Sequence, residues 1–203
     1  MAHGLCVPHL SYEDLRSEAA KFLGRYHLSG SIPVPIEEIV ELRFHLDVIP
    51  TPGLQETFDV DAFITSDMES VYVDEFIYQS RPNRYRFSLA HEIAHAILHQ
   101  KIYRSLAFHD IAGWKAAQTR ISEEQQRWLE WHGHAFAGLI LVPEGALKKS
   151  FESARRRAAT EGITLSDASE PARRMVAGSL ASEFEVSTDV IEKRLAKDSL
   201  WPT

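Results

Sequence analysis

SLAHEIAHAILH, residues 88–99, is the stretch that decides the fold. Its apolar residues recur at helical spacing, which predicts a well-buried helix that ends near His99. At 3.6 residues per turn, His91 and His95 lie one turn apart on the same face, so both imidazoles can reach a single cation. Glu92 projects about 100° away from His91, where it suits the role of a general base acting on water. The pattern therefore predicts a catalytic zinc helix.

The competing interpretation is an amphipathic helix that carries two histidines by chance, since the chain has 10 histidines in 203 residues. A hydrolytic zinc requires three protein ligands and keeps a fourth position for water. A second helix is predicted from Ser122 to the residue before Pro143. On this helix Glu130 shares a side with Gly133 and Ala137, and close packing through the small residues would direct its carboxylate towards the first helix. Glu130 is therefore the candidate third ligand.

Composition limits the class of protein and its partners. A net charge of −7 argues against general affinity for nucleic acid or anionic membranes. Cys6 is the only cysteine, so no internal disulfide can form, and residues 1–4 lack the pattern of a secretory signal. No apolar stretch approaches the roughly 18 residues that a membrane span needs. We therefore expect a cytoplasmic protein without a membrane partner.

The rest of the chain shows shorter elements. A capping-box pattern at Ser11 to Asp14 predicts a helix over about 12–27, and Pro35 suits the first turn of a short helix that reaches Leu42. Alternating apolar residues predict three short, mainly antiparallel strands near 46–49, 63–65 and 71–73. Residues 100–121 have no clear period and are expected to form a loop with at most one helical turn.

Two blocks resemble the signature of the ImmA/IrrE zinc metallopeptidases, also called DUF955. They are RYRFSLAHEIAHAILH at 84–99 and EWHGHAFAGLILVP at 130–143. The segment PVPIEEI at 33–39 is similar to the entry segment of the same family, and the likeness spans about residues 30–145. The resemblance implies that His91, His95 and Glu130 bind zinc and that Glu92 is the general base.

Some positions depart from the family pattern. His134 stands where the family usually has Asn or Asp, a position suited to holding a zinc-bound imidazole. Gly133 replaces a more usual Ala, which is expected to alter packing only. His99 is predicted to be structural, because it lies too far along the helix to share the metal with both other histidines. Three further residues could stabilise an oxyanion and cannot be ranked from sequence: Tyr103, His109 and His132.

The predicted fold is α+β, with a zincin-like metallopeptidase domain over 1–150 and a helical C-terminal region over 151–203 that has helix-turn-helix spacing at 180–195. The resemblance implies a zinc-dependent endopeptidase whose substrate is a transcriptional repressor in a stress or mobile-element response. The alternative is a DNA-binding or protein-binding regulator with a non-catalytic metal site. Nucleic acid is the less favoured partner, because residues 151–203 hold 8 basic and 9 acidic side chains. A hydrolase of small molecules is a third possibility.

Overall fold

The computed structural model describes residues 6–160, 162 and 169–201. Residues 1–5, 161, 163–168, 202 and 203 lie outside these ranges. Part of the predicted C-terminal region, 151–203, therefore falls outside the described residues. The described strands are β1 (Asp47–Thr51), β2 (Ala62–Ile64) and β3 (Ser70–Asp74). The described helices are α1 (Tyr12–Tyr26), α2 (Ile36–Arg43), α3 (Leu54–Phe58), α4 (Glu75–Ser80), α5 (Pro82–Leu98), α6 (Gln100–Leu106), α7 (Ile111–Gln118), α8 (Glu123–Leu141), α9 (Glu144–Thr160), α10 (Glu170–Phe184) and α11 (Thr188–Lys197). The fold is α+β, as the sequence predicted.

The three strands form a mixed sheet in the order β1-β3-β2. β2 and β3 are antiparallel, with Phe63 opposite Tyr72, whereas β1 and β3 are parallel, with Asp47 opposite Ser70. The prediction of a mainly antiparallel sheet therefore holds for one of the two strand pairs and was wrong for the other. A short turn joins β2 to β3 and enforces an antiparallel pair, while the connection after β1 contains α3 and is long enough to permit a parallel one.

The core is built around the packing of α5 against α8. Leu89 and Ile93 of α5 and Phe136 and Ile140 of α8 are completely buried. A side chain of this size contributes about 1.5–3 kcal/mol when it is fully buried. Pro82 starts α5, where its missing N–H leaves no helical hydrogen bond unmade. This pair of helices carries all four residues of the predicted site.

Residues 100–121 form α6 and α7, so the predicted loop was wrong. Ile102, Tyr103 and Leu106 of α6 are buried at helical spacing, and Asp110 caps α7 by accepting a hydrogen bond from the Gly113 backbone N–H. Each helix is at most eight residues long. Elements this short depend on tertiary burial rather than on intrinsic propensity, which is why the local sequence pattern missed them.

Hydrogen bonds and ion pairs of buried charged side chains hold the C-terminal helix α11 against α8 and α1. The Arg194 guanidinium donates to the backbone oxygens of Gly138 and Val142 and pairs with Asp198 at 2.8 Å. Asp198 also pairs with Arg16 of α1 at 2.8 Å. Helix α9 runs without interruption through residue 150, and the division at this residue stays a prediction. Within the described ranges, every helix is too short or too polar to cross a membrane.

Candidate metal centre

The structure places His91 in contact with each of the other two predicted ligands. The Nε2 atoms of His91 and His95 are 3.0 Å apart, and Oε2 of Glu130 lies 3.4 Å from Nε2 of His91. Both histidines are buried, whereas the Glu130 side chain is 55% exposed at the rim of a cavity. Two helices therefore place the imidazole of His95 and the carboxylate of Glu130 beside His91, at a position that remains open on one side.

Gly133 permits this convergence. A Cβ atom at this position would lie 2.5 Å from Cε1 and 2.8 Å from Nε2 of His91, closer than real Cβ contacts allow. The His91 ring therefore occupies the space that a side chain on α8 would fill. The sequence-based expectation that glycine alters packing only was incomplete, because the neighbour that it accommodates is a candidate ligand.

The donor set fits a divalent cation. Burial lowers the pKa of His91, but the hydrogen bond with Glu130 and the charge of Glu92 outweigh it, and the pKa lies above 6.5. The surroundings of His91 therefore favour a positive charge at this ring although the ring is buried. Two imidazole nitrogens and a carboxylate oxygen form a set typical of catalytic zinc and acceptable to other divalent ions.

Glu92 lies beside the imidazoles and points towards the sheet. Its Oε2 accepts a hydrogen bond of 2.8 Å from the backbone N–H of Ile64 in β2. Burial raises the pKa of Glu92 to about 7, against the opposing effects of His91 and the Ile64 hydrogen bond. A carboxyl group with this pKa can take up and release a proton near neutral pH, as a general base must.

The site opens into a cavity of about 370 Å³. Edge strand β2 forms one wall with Ala62 and Phe63, and the helices α6 and α7 contribute Tyr103 and Trp114. The Tyr103 ring stacks on His95, with centroids 4.8 Å apart. Burial raises the pKa of Tyr103 well above 10, so its hydroxyl keeps its proton. Tyr103 can therefore donate a hydrogen bond into the cavity.

The other two candidates for oxyanion stabilisation lie elsewhere. His109 is exposed and contacts Asp67, with 2.7 Å between Nδ1 and Oδ2. His132 is fully buried and contacts His99 rather than the cavity. Sequence analysis could not separate these two from Tyr103, because the difference depends on how α6 and α8 pack.

An ion pair at the cavity was missed by the sequence analysis. Arg84 of α5 binds Asp61 through two hydrogen bonds of 2.6 and 2.7 Å, and both residues line the cavity. Arg84 precedes His91 by two helical turns and therefore lies on the same side of α5. The pair joins residues 23 positions apart, and no local sequence signal connects them.

His134 lies next to the candidate ligands. Its Nδ1 is 2.8 Å from the backbone oxygen of Glu130 and donates to it, and its ring meets His91 at a centroid distance of 4.7 Å. Two groups of potential donors have ligand atoms within 4.8 Å of one another, and they share His91: one is His91, Glu92 and His95, and the other is His91, Glu130 and His134. The sequence singled out this position for its ability to hold an imidazole, and the structure shows a ring contact with His91.

A second, largely apolar groove of about 760 Å³ adjoins the cavity. The two share Phe87, Glu130 and His134, so they are continuous along α8. The groove extends to Val190 and Lys193 of α11. The cavity and the adjoining groove are together called the cleft.

Comparisons with known proteins identify the family. Residues 76–196 match the IrrE N-terminal-like domain of peptidase family M78. The match covers more than half of the chain and both helices of the candidate centre, and the chain therefore belongs to this metallopeptidase-like family. The suspected resemblance to ImmA/IrrE proteins is thereby confirmed.

A solved Mycobacterium tuberculosis transcriptional regulator has a similar fold, with a TM-score of 0.56 and 18% sequence identity. The alignment covers 90% of this chain and 55% of the regulator, so the chain spans about half of that protein's length. The comparison with curated proteins gave no match.

Proposed function

We propose that the protein is a zinc-dependent endopeptidase. The observation that carries this proposal is the contact of His91 with both His95 and Glu130 beside the buried carboxyl of Glu92, in a cavity that adjoins an apolar groove. A purely structural zinc site would be closed by four protein ligands and would need neither the cavity nor a carboxyl group with a raised pKa.

His91, His95 and Glu130 would hold the zinc ion. When bound, zinc supplies a Lewis acid that polarises the scissile carbonyl and makes water more acidic. Glu92 takes the proton from the attacking water and later hands it to the leaving amine. The hydrogen bond from Ile64 keeps the Glu92 carboxyl on this side of the cavity while it carries the proton. The Tyr103 hydroxyl donates a hydrogen bond to the oxygen on which negative charge develops.

The shape of the cleft suits a polypeptide substrate. Strand β2 is paired with β3 on one side only, and its other side faces α5 and the cavity. Such an edge can bind an extended peptide through main-chain hydrogen bonds. Because the cleft continues past His134 into the apolar groove, a chain can extend beyond the scissile bond, as an endopeptidase requires.

The substrate class rests on the family resemblance and not on the shape of the cleft. We propose that the protein acts in the cytoplasm on a transcriptional repressor and thereby switches on genes of a stress or mobile-element response. The similar fold of a protein described as a transcriptional regulator agrees with a role in gene control, although the identity of 18% supports the fold alone.

The test compares wild type with Glu92→Gln in cells, using labelling of new protein N-termini by mass spectrometry. We expect cleavage products with wild type, no products with Glu92→Gln, and equal zinc content in both purified proteins. Glu124→Gln is the matched control, because Glu124 is exposed at the start of α8. Products that persist with Glu92→Gln, or that survive chelation of zinc from purified wild type, would show that the proposed mechanism is wrong.

The rival proposal is a DNA-binding regulator that uses α10 and α11. The two helices are separated by a three-residue turn, which favours this alternative, but Ile191 and Leu195 of α11 are buried and Arg194 is engaged with α8. Retention on DNA that falls with salt, with no cleavage by the zinc-loaded protein, would support the rival. Cleavage of a small amide and of no polypeptide would instead support a small-molecule hydrolase.

A further inference from the structure

A row of four histidine rings leads from the candidate metal centre into the core. Nε2 of His91 is 3.0 Å from Nε2 of His95, and Nδ1 of His95 is 3.0 Å from Nδ1 of His99. Nε2 of His99 is in turn 3.0 Å from Nδ1 of His132 on α8. The last three rings are at most 1% exposed. The contacts of His95 with His99 and of His99 with His132 have the N–N distances of hydrogen bonds, so each must be considered with its proton.

The protons can be arranged in one way if His95 binds a metal ion through Nε2. A neutral imidazole has a single N–H group, so that of His95 must be on Nδ1 and must donate to Nδ1 of His99. His99 then carries its own proton on Nε2 and donates to Nδ1 of His132. His132 is left with its proton on Nε2. The three rings thus form one directed relay.

The far end of the relay favours the same direction. The His132 ring also contacts the backbone oxygen of Leu10. A carbonyl oxygen can only accept, so it favours a proton on the facing nitrogen. Nε2 of His132 has no regular hydrogen bond within the described part of the chain. If the relay ran in the opposite direction, Nε2 of His132 would carry a lone pair that faces the carbonyl oxygen of Leu10.

We propose that His99 and His132 are positioning residues that hold His95 in the tautomer and orientation required for zinc. The inference rests on the proposed function for the identity of the ligand. Ligating histidines usually donate their second N–H to a carboxylate, a carbonyl or water, and loss of such a partner weakens metal binding about 10–100-fold. In this protein the imidazole of His99 takes that place. The imidazole of His132 accepts from Nε2 of His99 and thereby leaves Nδ1 of His99 free to accept from His95.

The tautomers provide the first test. Long-range 15N–1H correlation spectra of the 15N-labelled full chain report which nitrogen of each histidine is protonated. We expect N–H on Nδ1 of His95 and on Nε2 of His99 and His132 in the zinc-loaded protein. A proton on Nδ1 of His99, or a charged His99 ring at neutral pH, would overturn the relay.

Substitutions provide the second test, with zinc affinity measured by competition against a chromophoric chelator. His99→Leu removes both polar contacts and should weaken zinc binding about 10–100-fold. His99→Asn keeps an oxygen that can accept from His95 and should restore most of the loss. His132→Leu should have a smaller effect in the same direction. Affinity of His99→Leu equal to that of wild type, or equal losses in His99→Asn and His99→Leu, would overturn the proposal.

His27→Leu is the matched control. His27 is also buried, and its ring Nε2 is 2.7 Å from the backbone oxygen of Ser31, but it does not line the cavity. It should lower stability towards urea without changing zinc affinity. If His99→Leu does not fold, His99→Asn and the spectra of wild type decide the question.

These measurements do not depend on peptide cleavage. Zinc binding with the expected tautomers but without cleavage would overturn the proposed enzyme and leave the relay intact. Cleavage by a zinc protein with the opposite tautomers would overturn only the relay. A wild type that binds no zinc would overturn both.

Discussion

Gly133→Ala tests whether the close approach of α8 to α5 sets the position of the His91 ring. The added Cβ would lie 2.5 Å from Cε1 of His91, and ordinary contact begins at 3.4 Å. The ring or the helix must therefore shift by about 0.9 Å. Productive metal and catalytic sites tolerate displacements of only about 0.5 Å. We expect zinc affinity to fall by at least about tenfold, since errors of about 1 Å can reduce rates about 100-fold.

The effect of the same substitution on stability is expected to be small. Overpacking a well-filled core destabilises a protein by about 1–3 kcal/mol. Replacing glycine by alanine inside a helix stabilises it by about 0.5–1 kcal/mol. The two effects oppose each other, so the free energy of unfolding should fall by no more than about 2.5 kcal/mol. Zinc affinity and the free energy of unfolding must therefore be measured separately in this variant.

Gly24→Ala is the control, because Gly24 lies in α1 and its added Cβ would meet no atom within 4 Å. This variant should gain stability and keep wild-type zinc affinity. Affinity is measured by chelator competition and stability by urea unfolding. Unchanged zinc affinity in Gly133→Ala would contradict the reasoning and would mean that the His91 ring can move without loss.

Three further predictions concern stability and metal binding. Asp198→Asn leaves the buried charge of Arg194 without its acidic partner and should lower the free energy of unfolding by about 3 kcal/mol in urea titrations. Burial raises the pKa of Asp198, but Arg16 and Arg194 outweigh it and lower the pKa below 3.8. The stabilisation is therefore complete above pH 3.8 and is lost as the pH falls through the lowered pKa, so the wild-type advantage over Asp198→Asn must shrink in acid. Ser11→Ala removes the capping box with Asp14 and should lower the unfolding free energy by about 1 kcal/mol, whereas no change would mean that α1 does not need its cap. Zinc at 100 times its dissociation constant should raise the unfolding free energy by about 2.7 kcal/mol, and magnesium, which prefers oxygen ligands, should not.

Local patterns predicted the elements that carry the candidate site. The helix from Ser122 begins and ends close to the predicted residues, the helix around His91 ends close to the predicted residue, and Ser11 caps α1 as expected. Each of these helices has a long apolar period and a start signal, which is a serine cap in α1 and α8 and Pro82 in α5, so its residues specify it without knowledge of the partner. α6 has no side-chain cap and α7 is capped by Asp110, but both are too short for a long apolar period, and the sequence analysis missed them.

The pairing and direction of the strands were harder to predict from sequence than the type of each element. The alternation of residues near Val48 and Val71 indicates strands, but alternation is the same in parallel and antiparallel pairs. The parallel pairing of β1 with β3 follows from the path of the intervening chain through α3. The ion pair between Arg84 and Asp61 likewise exists only because β2 packs beside α5.

The spacing within one helix is a local property, and it placed His91, Glu92 and His95 on α5 before any partner was known. The distance from His91 to Glu130 and the contact between His99 and His132 join α5 to α8. Such contacts depend on the depth at which one helix packs into another, and Gly133 sets that depth through the volume that it leaves free. Sequence could therefore name the chemical groups, while the packing of the two helices set their distances and the direction of their hydrogen bonds.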